Sequence, residues 1–245
     1  MKMSMFGSTA ALAAGVVAVV SSAASAQTAS IVASRDNTIY QTTAGATSNG
    51  AGDGIFSGRN RGGTIRRGLV YFDLSVIPAG ATITGATLQL SISQGQGTAT
   101  ASFHRALSNW GEGTSSGSGQ GAAATPGDAT WLFSFFNTTP WATPGGDFVP
   151  TPSATGGTAN GIFVQWSSAG LLSDVQGWYS GALSNFGWFI IGDESGNQTA
   201  DRWGSREIGG GPEFAPTLFV NYVIPTPSAG VGLAMLGLTL ARRRR

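Results

Sequence analysis

From Ala86 to Ser93 the chain alternates without interruption, Ala86, Leu88, Leu90 and Ile92 being apolar and Thr87, Gln89, Ser91 and Ser93 polar. Successive side chains of a strand point to opposite faces, so this run reads as a strand with one dry face and one wet face, as in a sandwich. Seven further segments, at 31–32, 38–40, 68–74, 99–107, 161–166, 186–191 and 217–223, have the composition of short strands. Glycine accounts for 38 of the 245 residues, and Ser, Thr and Asn fill the gaps between apolar stretches, as in a loop-rich all-β chain. Eight strands with irregular connections predict a two-sheet β-sandwich and not a barrel, with strand order left open.

One stretch has helical spacing. Leu171, Val175 and Trp178, with Leu172 and Tyr179 beside them, follow Ser167 and Ser168 as candidate N-caps. Such a helix would cover one end of the sandwich or bind a partner. Pro78-Ala79-Gly80 predicts a tight turn, after which the chain re-enters the sandwich at Ile83. Residues 113–127, rich in Gly, Ser and Ala, are expected to form an exposed flexible loop, and 143–158 a similar stretch richer in Pro.

The two ends carry sorting signals. Lys2, the apolar run 10–20 and the small residues Ala24-Ser25-Ala26 read as a secretory signal peptide cut before Gln27. At the other end Pro225-Thr226-Pro227-Ser228 precede an uncharged apolar run, 229–241, and then Arg242, Arg243, Arg244 and Arg245. That run is 13 residues long, shorter than the roughly 20 of a comfortable span, and its arginines would stay cytoplasmic and leave everything upstream outside. The expected organisation is a signal helix over 1–26, one β-sandwich domain over 27–223, and a C-terminal signal with a membrane helix over 224–245.

Removing both ends changes the charge. The chain has 13 Lys and Arg against 12 Asp and Glu, but without Lys2 and the four terminal arginines eight arginines face the 12 acids, a net charge of −4. The retained body therefore lacks the basic patch that nucleic-acid binding needs. It contains no lysine and no cysteine, so packing must hold it without disulfides even where disulfides could form. About 200 residues suffice for one sizeable core.

The tail resembles the PEP-CTERM sorting signals of bacterial surface proteins, with Pro225-Thr226-Pro227 standing where Pro-Glu-Pro is usual. The resemblance implies cleavage by an exosortase-type membrane protease, transient membrane contact, and delivery to the surface or extracellular matrix of a Gram-negative-type bacterium. In the body, RDNTIY from Arg35, SNG from Ser48, RRGLVYFDL from Arg66 and IPAGATITGATLQL from Ile77 resemble the opening of a DNRLRE-type domain. SNWGEG from Ser108, DATW from Asp128, GGDF from Gly145, Phe186-Gly187-Trp188 and Gly192-Asp193-Glu194 resemble the second half of its stand-alone exported members. That resemblance implies a jelly-roll-like sandwich, related to carbohydrate-binding modules.

Candidate chemistry is sparse. The single histidine, His104, is expected on a strand facing solvent or a neighbour, and GTSSG at 113–117 matches a nucleophile elbow without the strand and helix that such a turn needs. Asp193 and Glu194 are adjacent, so they point to opposite sides and cannot act as a catalytic pair. Asp193, Glu194, Asp201 and Glu207 interleave with Arg202 and Arg206, which predicts an ion-pair network; Asp193, Glu194 and Asp201 are also candidate ligands of a structural Ca²⁺. No other cofactor is expected. Trp166, Trp178 and Trp188 lie in apolar segments and are expected in the core. Trp110, Trp131, Trp141 and Trp203 sit among Gly, Asp, Thr, Pro and Arg, where they would either seal one end of the sandwich or offer stacking platforms for sugar rings, Trp110 and Trp203 above all. The expectation is an exported, non-catalytic structural or polysaccharide-associating protein, the alternative a polysaccharide lyase or hydrolase on the same fold.

Overall fold

A computed structural model describes residues 25–95, 101–156, 158–160 (backbone only) and 162–225; the expected signal segment up to Ala24 and the tail from Thr226 lie outside the described residues. Among those described, no helix is long and apolar enough to cross a membrane. Strands are β1 (Ala26–Val32), β2 (Arg35–Tyr40), β3 (Thr47–Ser48), β4 (Gly54–Arg59), β5 (Ile65–Tyr71), β6 (Thr82–Gln94), β7 (Ala101–Arg105) and β8 (Ala122–Ala123). They continue as β9 (Phe133–Phe135), β10 (Thr139–Pro140), β11 (Ala154–Gly156), β12 (Thr158–Asn160), β13 (Phe163–Ser167), β14 (Trp188–Ile191), β15 (Asp201–Gly204) and β16 (Thr217–Val223), with the helix α1 (Ala169–Ser180) before β14.

Twelve of these strands form one antiparallel sheet that curls on itself into a sandwich-like body. One layer runs β1–β16–β6–β13–β12 and the other β2–β5–β14–β7–β11, while β4 and β15 pair with each other and join β5 to the far end of β6. The inward side chains of both layers share a core, Leu88, Leu90, Val164, Trp166 and Val220 from the first meeting Val70, Phe72, Phe103, Trp188 and Ile190 from the second. Phe103 and Trp166 meet edge to face across it at 4.8 Å. The expected β-rich, sandwich-like body with one short helix is therefore present, but a single curled sheet stands where two separate sheets were expected.

The alternation that marks β6 produces its burial: Ala86, Leu88 and Leu90 are buried and Thr87 and Gln89 half-buried on the other face. Ile83, three residues before Ala86, also faces inward, because the register against β16 slips between Gly85 opposite Asn221 and Ile83 opposite Tyr222. Strands β4 and β15 are absent from the expected set. Gly54, Gly58, Asp201, Arg202 and Gly204 break any apolar period there.

Helix α1 begins at Ser168, whose hydroxyl accepts from the Leu171 N–H at 3.0 Å, and ends at Gly181 in the left-handed region. Leu171, Val175 and Trp178 enter the core, so the helix covers one end of the sandwich. Its Tyr179 hydroxyl donates to the Pro78 carbonyl and accepts from the Ala81 N–H, which fixes the Pro78–Gly80 turn against it.

The second layer is buried on both faces. Its outer side packs Ile39, Leu69 and Phe189 against Ala106, Trp110, Ala129, Trp131 and Trp141 from the long excursion 106–149. This excursion corrects the expectation that 113–127 is a flexible loop, although most of the stretch remains at the surface. Ser115 is buried, the Gly117 N–H donates to Asn49 Oδ1 at 2.7 Å, and β8 pairs with β3. Backbone hydrogen bonds to remote partners hold a stretch that has few large side chains of its own. Residues 143–149 are similarly pinned, with Asp147 accepting from the Ala142 and Thr143 N–H groups and Gly146 lying flat on the Phe189 ring, where a Cβ would come within 2.3 Å.

Candidate functional site

The string Arg35-Asp36-Asn37 at the start of β2 organises one end of this second layer. Arg35 donates to the Trp110 carbonyl at 2.6 Å and lies over the Tyr71 and Trp110 rings at 4.5 and 4.7 Å. The Asp36 N–H donates to Glu112 Oε1 at 2.9 Å. The Asn37 amide donates to the carbonyls of Gly111, Glu112 and Ala129, while its oxygen accepts from the Ser48 hydroxyl and the Asn49 N–H. Three consecutive residues thus grip the loop that carries Glu112.

Glu112 meets a third segment there. Arg206, in the turn after β15, donates from Nε to Glu112 Oε1 at 2.8 Å and from Nη2 to Oε2 at 3.0 Å, and pairs with Glu207 Oε1 at 3.0 Å. Its backbone N–H donates to Asp36 Oδ2 at 2.8 Å. Asp36, Glu112 and Glu207 each bring one carboxylate oxygen to within 4.8 Å of the others. Among the oxygens of these residues, Asp36 Oδ1 and Glu207 Oε2 are buried without a hydrogen-bond partner. Burial above all pushes the Asp36 carboxyl well above the usual carboxylate range, with repulsion from Glu207 and Glu112 adding to it; burial also raises Glu207, against the pull of Arg206.

The structure corrects the sugar-contact candidates. Trp110 and Trp203 are 0% exposed, Trp141 5% and Trp131 7%, so none offers a ring face to a ligand. The indole N–H of Trp110 donates to the Phe186 carbonyl, that of Trp203 to Ser57 Oγ and that of Trp141 to the Thr130 carbonyl, and the Arg67 guanidinium lies over the Trp131 ring at 4.9 Å. The polar neighbours that suggested exposure serve elsewhere: Asn109 accepts from Arg35 and Glu112 from Arg206. Trp166, Trp178 and Trp188 are core residues as expected.

The Ca²⁺ candidates Asp193, Glu194 and Asp201 are not gathered into a site. Asp193 is exposed and accepts from Ser195, Glu194 pairs with Arg67 at 2.7 Å, and Asp201 lies buried in β15. Of the expected ion pairs, Arg206 with Glu207 forms at 3.0 Å; Arg202 reaches Asp53 at 2.8 Å and Arg206 also reaches Glu112, so these arginines tie the segment to distant ones as well. His104 is largely buried, with Nδ1 at 2.9 Å from the Val149 carbonyl and Nε2 at 3.0 Å from Ser102 Oγ. The acids that do converge were not singled out together by sequence, since three distant segments supply them.

A second candidate surface is the outer face of the first layer. Strands β1, β6, β13 and β16 contain no charged residue. Their outward side chains bond in cross-strand pairs: Thr28 to Asn221, Thr87 with Ser167, and Gln165 to Gln89, each at 2.7 Å. Phe219, half-buried, stands between Ser30 and Thr87. A groove of about 380 Å³ between β11 and β13, lined by Ser153, Thr155, Gln165 and Ser167 among others, continues this face at its edge. No protein-family model matches the chain, and no curated protein matches it.

Proposed function

We propose that this chain is an exported, non-catalytic module, displayed at the cell surface or in the extracellular matrix, that associates with neutral polysaccharide through the outer face of β1, β16, β6 and β13. The observation that carries this reading is the charge-free array of hydroxyl and amide side chains on that face, with Phe219 as its apolar centre. Sugar hydroxyls both donate and accept, and Thr, Ser, Asn and Gln offer both capacities without the desolvation cost of a charge. The finer assignment, a jelly roll of the DNRLRE type, rests on the sequence resemblance together with the two antiparallel layers.

Export and exosortase-type processing rest on the two terminal signals. They draw support from the pairing of Ala26 with Val223, which brings the first and last strands of the body together at one edge. A single anchor there would present the whole sandwich. Support for a non-catalytic role comes from His104, whose two ring nitrogens are engaged by Val149 and Ser102, and from the separate partners of Asp193 and Glu194.

The test is retention of Gln27 to Pro225 on insoluble neutral polysaccharides. Binding should fall at least tenfold in Thr87→Lys, Gln165→Glu, a double change that places charge on the face without touching the core. Self-association with no retained polysaccharide would move the reading to a scaffold, and release of reducing ends or unsaturated products would move it to an enzyme.

A further inference from the structure

The end of the sandwich gripped by Arg35, Asp36 and Asn37 has a charge imbalance that its own side chains do not resolve. Glu112 and Glu207 share one guanidinium, that of Arg206, whose backbone N–H bonds Asp36, and the nearby Arg35 directs its donors to Asn109 and the Trp110 carbonyl. Arg206 satisfies both oxygens of Glu112 and Oε1 of Glu207. Asp36, with no exposed surface, keeps Oδ1 unpartnered, and Glu207 keeps Oε2 unpartnered and buried. A buried carboxylate oxygen without a donor costs a large desolvation penalty, so each of these two oxygens calls for a donor or a positive species beside it.

We propose that Asp36, Glu112 and Glu207 bind a divalent cation, Ca²⁺ by preference. The three carboxyls offer a divalent ion converging oxygen donors, and such an ion would compete with the proton that burial favours on Asp36. The donors are all oxygens, which suits hard cations and not zinc or copper. Two oxygens bound to one Ca²⁺ at about 2.4 Å cannot lie more than about 4.8 Å apart, and the three here fall within 4.8 Å of one another. Mg²⁺ demands near-octahedral geometry and dehydrates reluctantly, which favours Ca²⁺ at a set of protein carboxylates. The ion enters past the Arg206 side chain, which is 40% exposed, and water completes its shell.

Its effect is that of a cross-link. Asp36 lies on β2, Glu112 in the excursion and Glu207 after β15, so one ion ties three remote segments in a chain without cysteine. A site absent from the unfolded chain converts binding into folding stability.

The test uses the folded chain stripped with EDTA and titrated at pH 7 with CaCl₂ or MgCl₂, followed by calorimetry and by thermal melting. One Ca²⁺ per chain is expected, with Kd on the order of 10⁻⁴ M as in extracellular modules, Mg²⁺ weaker, and Tm higher by about 5 °C near saturation. Glu207→Gln, at a partly exposed position, should fold in EDTA and lose at least tenfold in Ca²⁺ affinity, and Asp36→Asn should lose the response altogether. Asp193→Asn with Glu194→Gln should keep it. The proposal fails if the parent chain shows neither binding heat nor a cation-dependent Tm, if its Tm answers to pH alone so that a proton is the occupant, or if Glu207→Gln responds like the parent.

Discussion

The two layers of the sandwich share a core and differ in what lies on their backs. Strands β1, β16, β6 and β13 contain no charged residue and leave their outer face open apart from the end near Ser91, which Phe214 covers; the β2–β5–β14–β7–β11 layer carries Arg35, Asp36, Arg66, Arg67 and Arg105 and is roofed by the excursion 106–149. Three of the arginines of the covered layer are pins for the roof, while Arg105 pairs with Asp174 of α1 at 3.1 Å. Arg35 bonds the Trp110 carbonyl, Arg67 bonds the Gly145 carbonyl and lies over Trp131, and Arg66 bonds Gln120 and lies over Tyr40 and Phe56. A planar guanidinium can stack on a ring while donating to a carbonyl in its own plane, which an ammonium cannot do. That gives a physical sense to a body with eight arginines and no lysine.

If the roof is as much a part of the fold as the shared core, breaking it should cost as much. Trp110→Ala removes a fully buried indole and its bond to Phe186, and is expected to destabilise by about 3–5 kcal/mol. Trp188→Ala, in the shared core, should fall in the same range. Urea denaturation of both decides the matter: a loss under about 1 kcal/mol for Trp110→Ala alone would make the roof an accessory. Arg35→Lys comes next in size, at about 1–2 kcal/mol, because the charge survives and the stacking and fork geometry do not. An unchanged denaturation midpoint in that variant would remove the pin account.

The two layers were also unequally legible in sequence. In β6 one face is wet, so the apolar period of two shows directly, and the bulge near Gly85 only shifts its phase. Trp188, Phe189 and Ile190 of β14 are buried on both faces and form a continuous apolar run, which marks a strand without saying that a second cover exists. That missing cover is why Trp110, Trp131 and Trp141 looked like surface residues. Their neighbours are small and polar because the roof is held by backbone bonds and by Asp128 and Asp147. The acids Asp36, Glu112 and Glu207 escaped for a different reason, since their convergence depends on which loops meet at one end of the sandwich, and no local period records that.

The smallest expected effect on stability falls on the open face, and it is the sharpest on function. Thr87→Ala with Gln165→Ala removes hydroxyl and amide groups that pair with Ser167 and Gln89 at the surface. Each is a cross-strand contact in water, so the double change should shift unfolding by no more than about 0.5–1 kcal/mol. Polysaccharide retention should nonetheless drop severalfold, because the bonds made with a ligand on a flat face have no substitute from the protein. A roof variant such as Arg35→Lys should do the reverse, costing stability and sparing retention below its melting range. Should Thr87→Ala with Gln165→Ala instead unfold the chain as readily as Arg35→Lys, the open face would be a structural element, and its lack of charge would need another cause than a neutral ligand.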